Sequence, residues 1–293
     1  MDLTRRECLR VAAAGLAGAA LPFGALAGHE PRLAPRFKVG VTDWNLQQTG
    51  KIEAIALAKA IGFDGVQVSF TRTHPFPLAD PAVRAKFLAE STRVGLPLAS
   101  TCLDILHVNY LKNDPLGQRW VAEAIPLAKD LGVRVILLPF FGNGALKTEA
   151  EMDYVGDALR EIAPAAEKAG VILGLEDTIS ARDNVRIMER TKSPAVLTYY
   201  DVGNSTNNGF NVIEEIRWLG KERICEVHLK DNPHYMGEGK IDFPGVVAAL
   251  DDIGFAGWAQ LETTNPTKSV QADMGRNLSF VRDLIARRAA NAR

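Results

Sequence analysis

The sequence predicts an α/β fold, a closed (β/α)8 TIM barrel, on three observations. From Phe37 onward, short strand-like runs and helix-like runs alternate eight times. The alternation occupies residues 36–290, close to the ~250 residues of such a barrel. The last four strand-like runs each end in an acid or a histidine: Glu176 in VILGLED, Asp201 in VLTYYDVGN, His228 in ICEVHLKD and Glu262 in GWAQLET. These four residues are spaced roughly 25 to 35 apart, about one strand-helix-strand unit each. A closed parallel sheet brings the C-terminal ends of consecutive strands to one point. A doubly wound open sheet would not, and no glycine-rich dinucleotide fingerprint follows the first strand.

Taken in order, the elements are legible from periodicity and punctuation. The first strand is Phe37 to Asp43, and a helix follows over Ile52 to Ile61, with Leu57, Ala58 and Ile61 at helical spacing. Gly62-Phe63-Asp64-Gly65 stops that helix and turns into a second strand, Val66 to Phe70. Asp80-Pro81 pairs an N-cap with a proline at the first helical position, and the helix ends at Val94-Gly95. The third strand is read as Leu98 to Ile105, followed by a helix from Pro115 to Leu131 that Gly132 closes. The fourth strand runs from Val133 to Pro139, and a long helix from Glu149 to Ala169 stops at Gly170. Helices near Arg182–Arg190, Val212–Leu219 and Phe243–Ile253 separate the last four strands, and Ala272–Ala290 closes the chain. These four strands are near-continuous apolar runs, as expected of parallel strands buried on both faces.

The first 30 residues read as a separate segment. Thr4-Arg5-Arg6-Glu7-Cys8-Leu9-Arg10 resembles a twin-arginine export signal, Val11 to Leu26 is a weakly apolar Gly/Ala-rich run, and Ala25-Leu26-Ala27 supplies a small-x-small cleavage site. The run is short and poor in Leu, Ile and Phe, which argues against a membrane anchor. The expected location is therefore the periplasm or another exported site, with no membrane association once the signal is removed. Cys8 falls in this segment, while Cys102 and Cys225 read as small buried side chains in strands far apart in the chain.

Composition narrows the function classes. Lys and Arg number 34 against 35 Asp and Glu, a net charge of −1. That balance gives no basic surface for nucleic acid. Three carboxylates with one imidazole suit Mn²⁺, Mg²⁺, Co²⁺ or Zn²⁺ better than copper or an iron–sulfur cluster. Residues at the C-terminal strand ends of a barrel face its active site, so Glu176, Asp201, His228 and Glu262 are the expected ligands of one divalent metal ion.

The pattern resembles the sugar phosphate isomerase/epimerase family, the xylose-isomerase-like barrels of the D-tagatose 3-epimerase type. The resemblance covers nearly the whole chain after residue 36. It rests on the four ligands and on the runs Asp201-Val-Gly-Asn204, His228-Leu-Lys230-Asp231 and Gly237-Glu-Gly-Lys-Ile-Asp242. It implies that Glu176 and Glu262 also act as acid and base beside a carbonyl, while Asp201 and His228 mainly hold the ion. It further implies that metal at the carbonyl and neighbouring hydroxyl stabilises an enediolate. The implied partner is a small-molecule carbohydrate, with isomerisation or epimerisation as the outcome and a homo-oligomer left open. The export segment argues for a non-phosphorylated sugar. Elimination from a 3-keto-glycoside, a lyase reaction, uses the same first step.

Further contacts are expected around the mouth. Lys230 lies on the same strand face as His228 and either pairs with Asp231 or reaches a substrate oxygen. Asn204 stands where many relatives carry a substrate-contacting histidine, and Gln67 where an acid is frequent. His107 and His234 are candidate substrate contacts in loops after the third and seventh strands. Trp44 is either an apolar wall for the sugar or core packing. Phe140 and Phe141 either cover the site or pack within their loop. Endonuclease IV shares the barrel, but five histidines and the neutral charge balance do not supply its metal cluster or basic groove. A non-catalytic sugar-binding barrel is disfavoured by the presence of both glutamates.

Overall fold

The computed structural model describes residues 37–291; the segment read as an export signal, with Cys8, lies outside them. The strands are β1 (Lys38–Thr42), β2 (Gly65–Ser69), β3 (Leu98–Cys102), β4 (Val135–Pro139), β5 (Ile172–Glu176), β6 (Val196–Asp201), β7 (Ile224–Leu229) and β8 (Trp258–Leu261). They form a closed barrel in sequence order, and β1 pairs parallel with β8 from Lys38↔Trp258 to Val41↔Leu261. The helices are α1 (Glu53–Ile61), α2 (Pro81–Val94), α3 (Pro115–Asp130), α4 (Glu149–Ala169), α5 (Ala181–Thr191), α6 (Val202–Asn207), α7 (Val212–Leu219), α8 (Phe243–Asp252) and α9 (Val270–Asn291). The chain is thus the (β/α)8 barrel its sequence predicts. Among the described residues no helix is long and apolar enough to cross a membrane.

Local chemistry sets the helix ends. Asp80 accepts the Ala82 N–H at 2.8 Å and Pro81 opens α2. Thr148 and Glu151 form a reciprocal capping box at the start of α4, and Gly170 ends it in the left-handed region. Each such cap is worth about 1 kcal/mol.

Two departures from the sequence reading have local causes. The third strand ends at Cys102 rather than Ile105, because Asp104–His107 coils into a 3-10 turn. Helix α6 is not anticipated in the sequence reading, where Val202-Gly203-Asn204 continues the strand run. Asp201 ends β6 and accepts the Asn204 N–H at 2.8 Å, capping a helix where the strand stops.

Alternation along the strands separates two interiors. Leu173, Leu175, Val227, Leu229, Ala259 and Leu261 join the large apolar core with the helices. Their neighbours Glu176, Glu226, His228 and Gln260 are buried polar residues that share the opposite register, toward the barrel axis. A full aliphatic burial contributes about 1.5–3 kcal/mol. A one-residue slip in any strand would therefore be costly, and the register that places the ligands is held by the aliphatic core. Glycine makes room inside: a Cβ on Gly40 would stand 2.0 Å from the Gln260 Oε1.

Candidate metal centre

Glu176 closes β5, Asp201 closes β6, His228 lies near the end of β7, and Glu262 follows β8 directly. One ligand atom from each lies within 4.8 Å of all the others. His228 Nδ1 is 2.8 Å from Glu176 Oε1, 3.4 Å from Glu262 Oε2 and 3.6 Å from Asp201 Oδ2. Donors about 2.1 Å from a shared ion stand about 3–4 Å apart, so the spacing fits a single cation. Among the described residues no other group of three such side chains is gathered in this way.

The electrostatics agree with a cation-seeking site. Asp201 Oδ2 is buried and makes no hydrogen bond of good geometry, although Lys230 Nζ approaches it to 2.7 Å. The ammonium already offsets the charge of this buried carboxylate, and a metal ion would meet the same acceptor. Burial pushes the Glu176 carboxyl up. Burial also acts to raise Asp201, but the Lys230 ammonium and His228 outweigh it and hold that carboxyl well below its usual range. Burial disfavours a charged His228, yet Glu176 and Glu262 overcome this and raise its pKa. A divalent cation binding through Nδ1 would replace the proton that the carboxylates hold there.

Two further donors fix Glu262. Trp44 Nε1 donates to its Oε1 at 3.0 Å, and Lys230 Nζ donates to its Oε2 at 2.5 Å. The pairing of Lys230 with Asp231 considered from sequence is not found. Lys230 bridges Asp201 and Glu262, while Asp231 accepts the N–H groups of Gly237 and Gly239. The physical reason is register. Lys230 shares the inward face with His228, and Asp231 turns into its own loop. Trp44 is a cavity wall that also orients a glutamate, a role its apolar reading did not include.

The cluster opens into a cavity of about 540 Å³ lined by Trp44, Arg72, His107, Phe141, Asn204, Lys230, Glu176 and Glu262 among others. His107 stacks on Phe141, with ring centroids 6.2 Å apart. Phe140, by contrast, is buried in the core, so only the second of the two aromatics meets the cavity. His234 does not line this chamber. It lines an adjoining cavity of about 560 Å³, whose walls also include Asn204 and Lys230. Arg72 was missed in the sequence reading. It is exposed, and its position just past the end of β2 was the available signal. Cys102 and Cys225 are both free thiols; Cys102 is buried as expected, whereas Cys225 is only partly buried.

A closed parallel barrel with three carboxylates and an imidazole gathered at the C-terminal ends of its strands defines a TIM barrel with a candidate metal centre at its active-site face. The chain belongs to the xylose isomerase-like TIM barrel family, whose sequence profile matches residues 55–284. It is 29% identical over 202 residues to 2-epi-5-epi-valiolone 7-phosphate 2-epimerase of Actinoplanes sp., covering 67% of this chain and 73% of that protein. Among solved structures it superposes on an L-ribulose 3-epimerase with a TM-score of 0.73 at 18% identity, covering 87% of this chain and 97% of the other. It superposes on the 3-keto-D-glucoside 4-epimerase of E. coli with a TM-score of 0.68 at 17% identity, covering 84% and 99%. At these identities the two superpositions speak to the fold.

Proposed function

We propose that the chain is a divalent-metal-dependent sugar epimerase or isomerase that removes a proton beside a carbonyl. The observation that carries this reading is the gathering of Glu176 and Glu262 with Asp201 and His228 at one wall of a sugar-sized cavity. When bound, the metal would polarise the carbonyl and stabilise the enediolate. Asp201 and His228 would hold it, and Glu176 and Glu262 would complete the donor set.

The remaining chemistry belongs to the side chains. Glu176 and Glu262 both line the cavity and stand three strands apart on the rim. One glutamate takes the C–H proton; in epimerisation the other returns a proton to the same carbon from its own side, and in isomerisation a proton is returned to the neighbouring carbon. Trp44 and Lys230 fix the Glu262 carboxylate in place, and Glu176 is held against His228. Phe141 and His107 wall the chamber, limiting water around the reacting carbon.

The substrate we propose is non-phosphorylated. Two cationic side chains line the chamber, Lys230 and Arg72, and the first is already held by two carboxylates. The twin-arginine-like segment supports the same choice, because sugar phosphates are chiefly cytosolic, and with it we propose export. The adjoining cavity, sharing Asn204 and Lys230 with the chamber, favours a second reading with the same first step. There the substrate is a 3-keto-glycoside, and loss of its C2 proton expels the C1 substituent, a lyase outcome.

Incubating the Mn²⁺-loaded chain in D₂O with free ketoses and with 3-keto-glycosides tests both. Deuterium entering beside the carbonyl without bond cleavage supports the epimerase or isomerase. Release of the aglycone selects the lyase. Absence of both exchange and cleavage across these substrates would remove the proposal.

A further inference from the structure

An imidazole can ligate through Nδ1 only if its proton resides on Nε2, and that proton needs an acceptor when it is buried. In His228, Nδ1 faces the three carboxylates. Nε2 points the other way, into the barrel, and lies 3.1 Å from the Oε1 of Gln67 on β2. Both residues are fully buried, at 0% exposure, so water does not compete for this contact. We propose that Gln67 is a positioning residue for the metal centre: its side-chain oxygen accepts the Nε2 proton of His228 and fixes the ring in the tautomer and plane that present Nδ1 to a cation. This inference rests on the metal reading above and adds to it the group that orders the ligand.

The layer beneath leaves His228 as the nearest donor to the Gln67 oxygen. Glu226 Oε2 receives Ser100 Oγ at 2.8 Å, Tyr199 Oη at 3.0 Å and Gln260 Nε2 at 3.2 Å. Tyr199 has one hydroxyl proton. Given to Glu226 at 3.0 Å, it is withheld from Gln67 Oε1, which lies farther away at 3.4 Å. The same Tyr199 ring packs edge-on against His228, with centroids 4.6 Å apart, and Trp44 packs on it at 5.9 Å. The imidazole is thus clamped by two aromatic rings and, on its Nε2 side, one hydrogen bond. The order of donors runs from Tyr199 to Glu226 and from His228 to Gln67.

The cost of this arrangement argues that it has a use. Barrel interiors are usually filled by layers of branched aliphatic side chains. Here Gln67, Ser100, Tyr199, Glu226 and Gln260 are all buried at 1% exposure or less, and Gln67 Nε2, Glu226 Oε1 and Gln260 Oε1 have no protein partner. Polar groups buried in this way oppose folding unless something offsets them. Orientation of a metal ligand by a group behind it is such an offset, and loss of groups of this kind typically lowers metal affinity by about 10–100-fold.

The test uses Zn²⁺ alone as the probe and needs no turnover. Calorimetric titration of the wild type, Gln67→Leu and Gln67→Glu separates the acceptor from the shape of the side chain. Gln67→Leu should bind Zn²⁺ about 10–100-fold more weakly, and Gln67→Glu, which keeps an acceptor oxygen, should stay within about threefold of wild type or bind more tightly. In the Zn²⁺-loaded wild type labelled with ¹⁵N-histidine, long-range ¹H–¹⁵N spectra should show His228 metallated at Nδ1 and protonated at Nε2. This spectrum decides the matter even if Gln67→Leu does not fold. Metallation at Nε2, or unchanged affinity in a folded Gln67→Leu, overturns the role of Gln67 and leaves the metal centre standing. A wild type that binds no Zn²⁺ overturns both.

Discussion

Around one cavity, the two halves of the barrel contribute different chemistry. Strands β5 to β8 deliver Glu176, Asp201, His228 and Glu262, a compact and largely buried acidic cluster. The segments after β1 to β4 deliver Trp44, Arg72, His107 and Phe141, which are aromatic or basic and mostly more exposed. The first half has the donor set to hold a cation and move a proton. The second has the flat faces and the single guanidinium suited to gripping a polyol. The contrast teaches that an enzyme of this design can vary its substrate through the segments after β1 to β4 while its proton chemistry stays at the ends of β5 to β8.

The comparison breaks most sharply at the glutamates. Glu176→Gln and Glu262→Gln should each lower kcat by at least about 10³-fold, since each removes both a metal donor and a proton-transfer group. The solvent-exchange assay reads this directly, and a double variant with wild-type exchange would refute their roles. A smaller effect of a different kind is expected opposite them. Arg72→Ala and His107→Ala should raise KM by about 3–30-fold, the loss of one hydrogen bond of about 0.6–2 kcal/mol, with kcat changed far less. A fall in kcat as deep as that of the glutamate variants would dissolve the division between the halves.

The smallest effect is on stability. Burial raises the Asp43 carboxyl to about 7, although the Ser69 and Gly50 N–H groups act against it. The folded chain therefore holds this proton over a range in which the unfolded chain has released it. The sign follows: this contribution to stability is complete below about pH 4 and is lost as pH rises to about 7. Asp43 accepts the Gly50 N–H and the Ser69 N–H at 2.8 Å each and the Ser69 hydroxyl at 2.9 Å. Asn at position 43 can keep the two N–H bonds through its oxygen. Thermal melts from pH 4 to 8 should show a flatter dependence for Asp43→Asn, by on the order of 1–3 kcal/mol or a few degrees. Parallel curves would show that Asp43 titrates normally.

Much of this was legible in the sequence because two strong periodicities coincide. The eightfold alternation of apolar strand-like runs with helix-like runs marked the strands, and ligand-type residues at four successive strand ends marked the face on which chemistry can occur. What escaped depends on contacts across strands. Lys230 and Asp231 are neighbours in sequence, yet the partners of Lys230 come from β6 and from the residue after β8. The indole of Trp44 reads as apolar until Glu262, 218 residues away, is placed beside its N–H. Gln67 reads as a departure from an acidic pattern, and its contact with His228 spans 161 residues. Helix α6 was hidden because Asp201 is at once the end of a strand, a helix cap and a ligand candidate, and a linear reading assigned it only the first and last of these.

The most direct measurement is a crystal structure of the chain soaked with Mn²⁺, read by anomalous scattering. One strong peak among Glu176, Asp201, His228 and Glu262, with Nδ1 of His228 as the ligating nitrogen, is the predicted result. A peak elsewhere, or none at saturating Mn²⁺, would contradict the account at its centre.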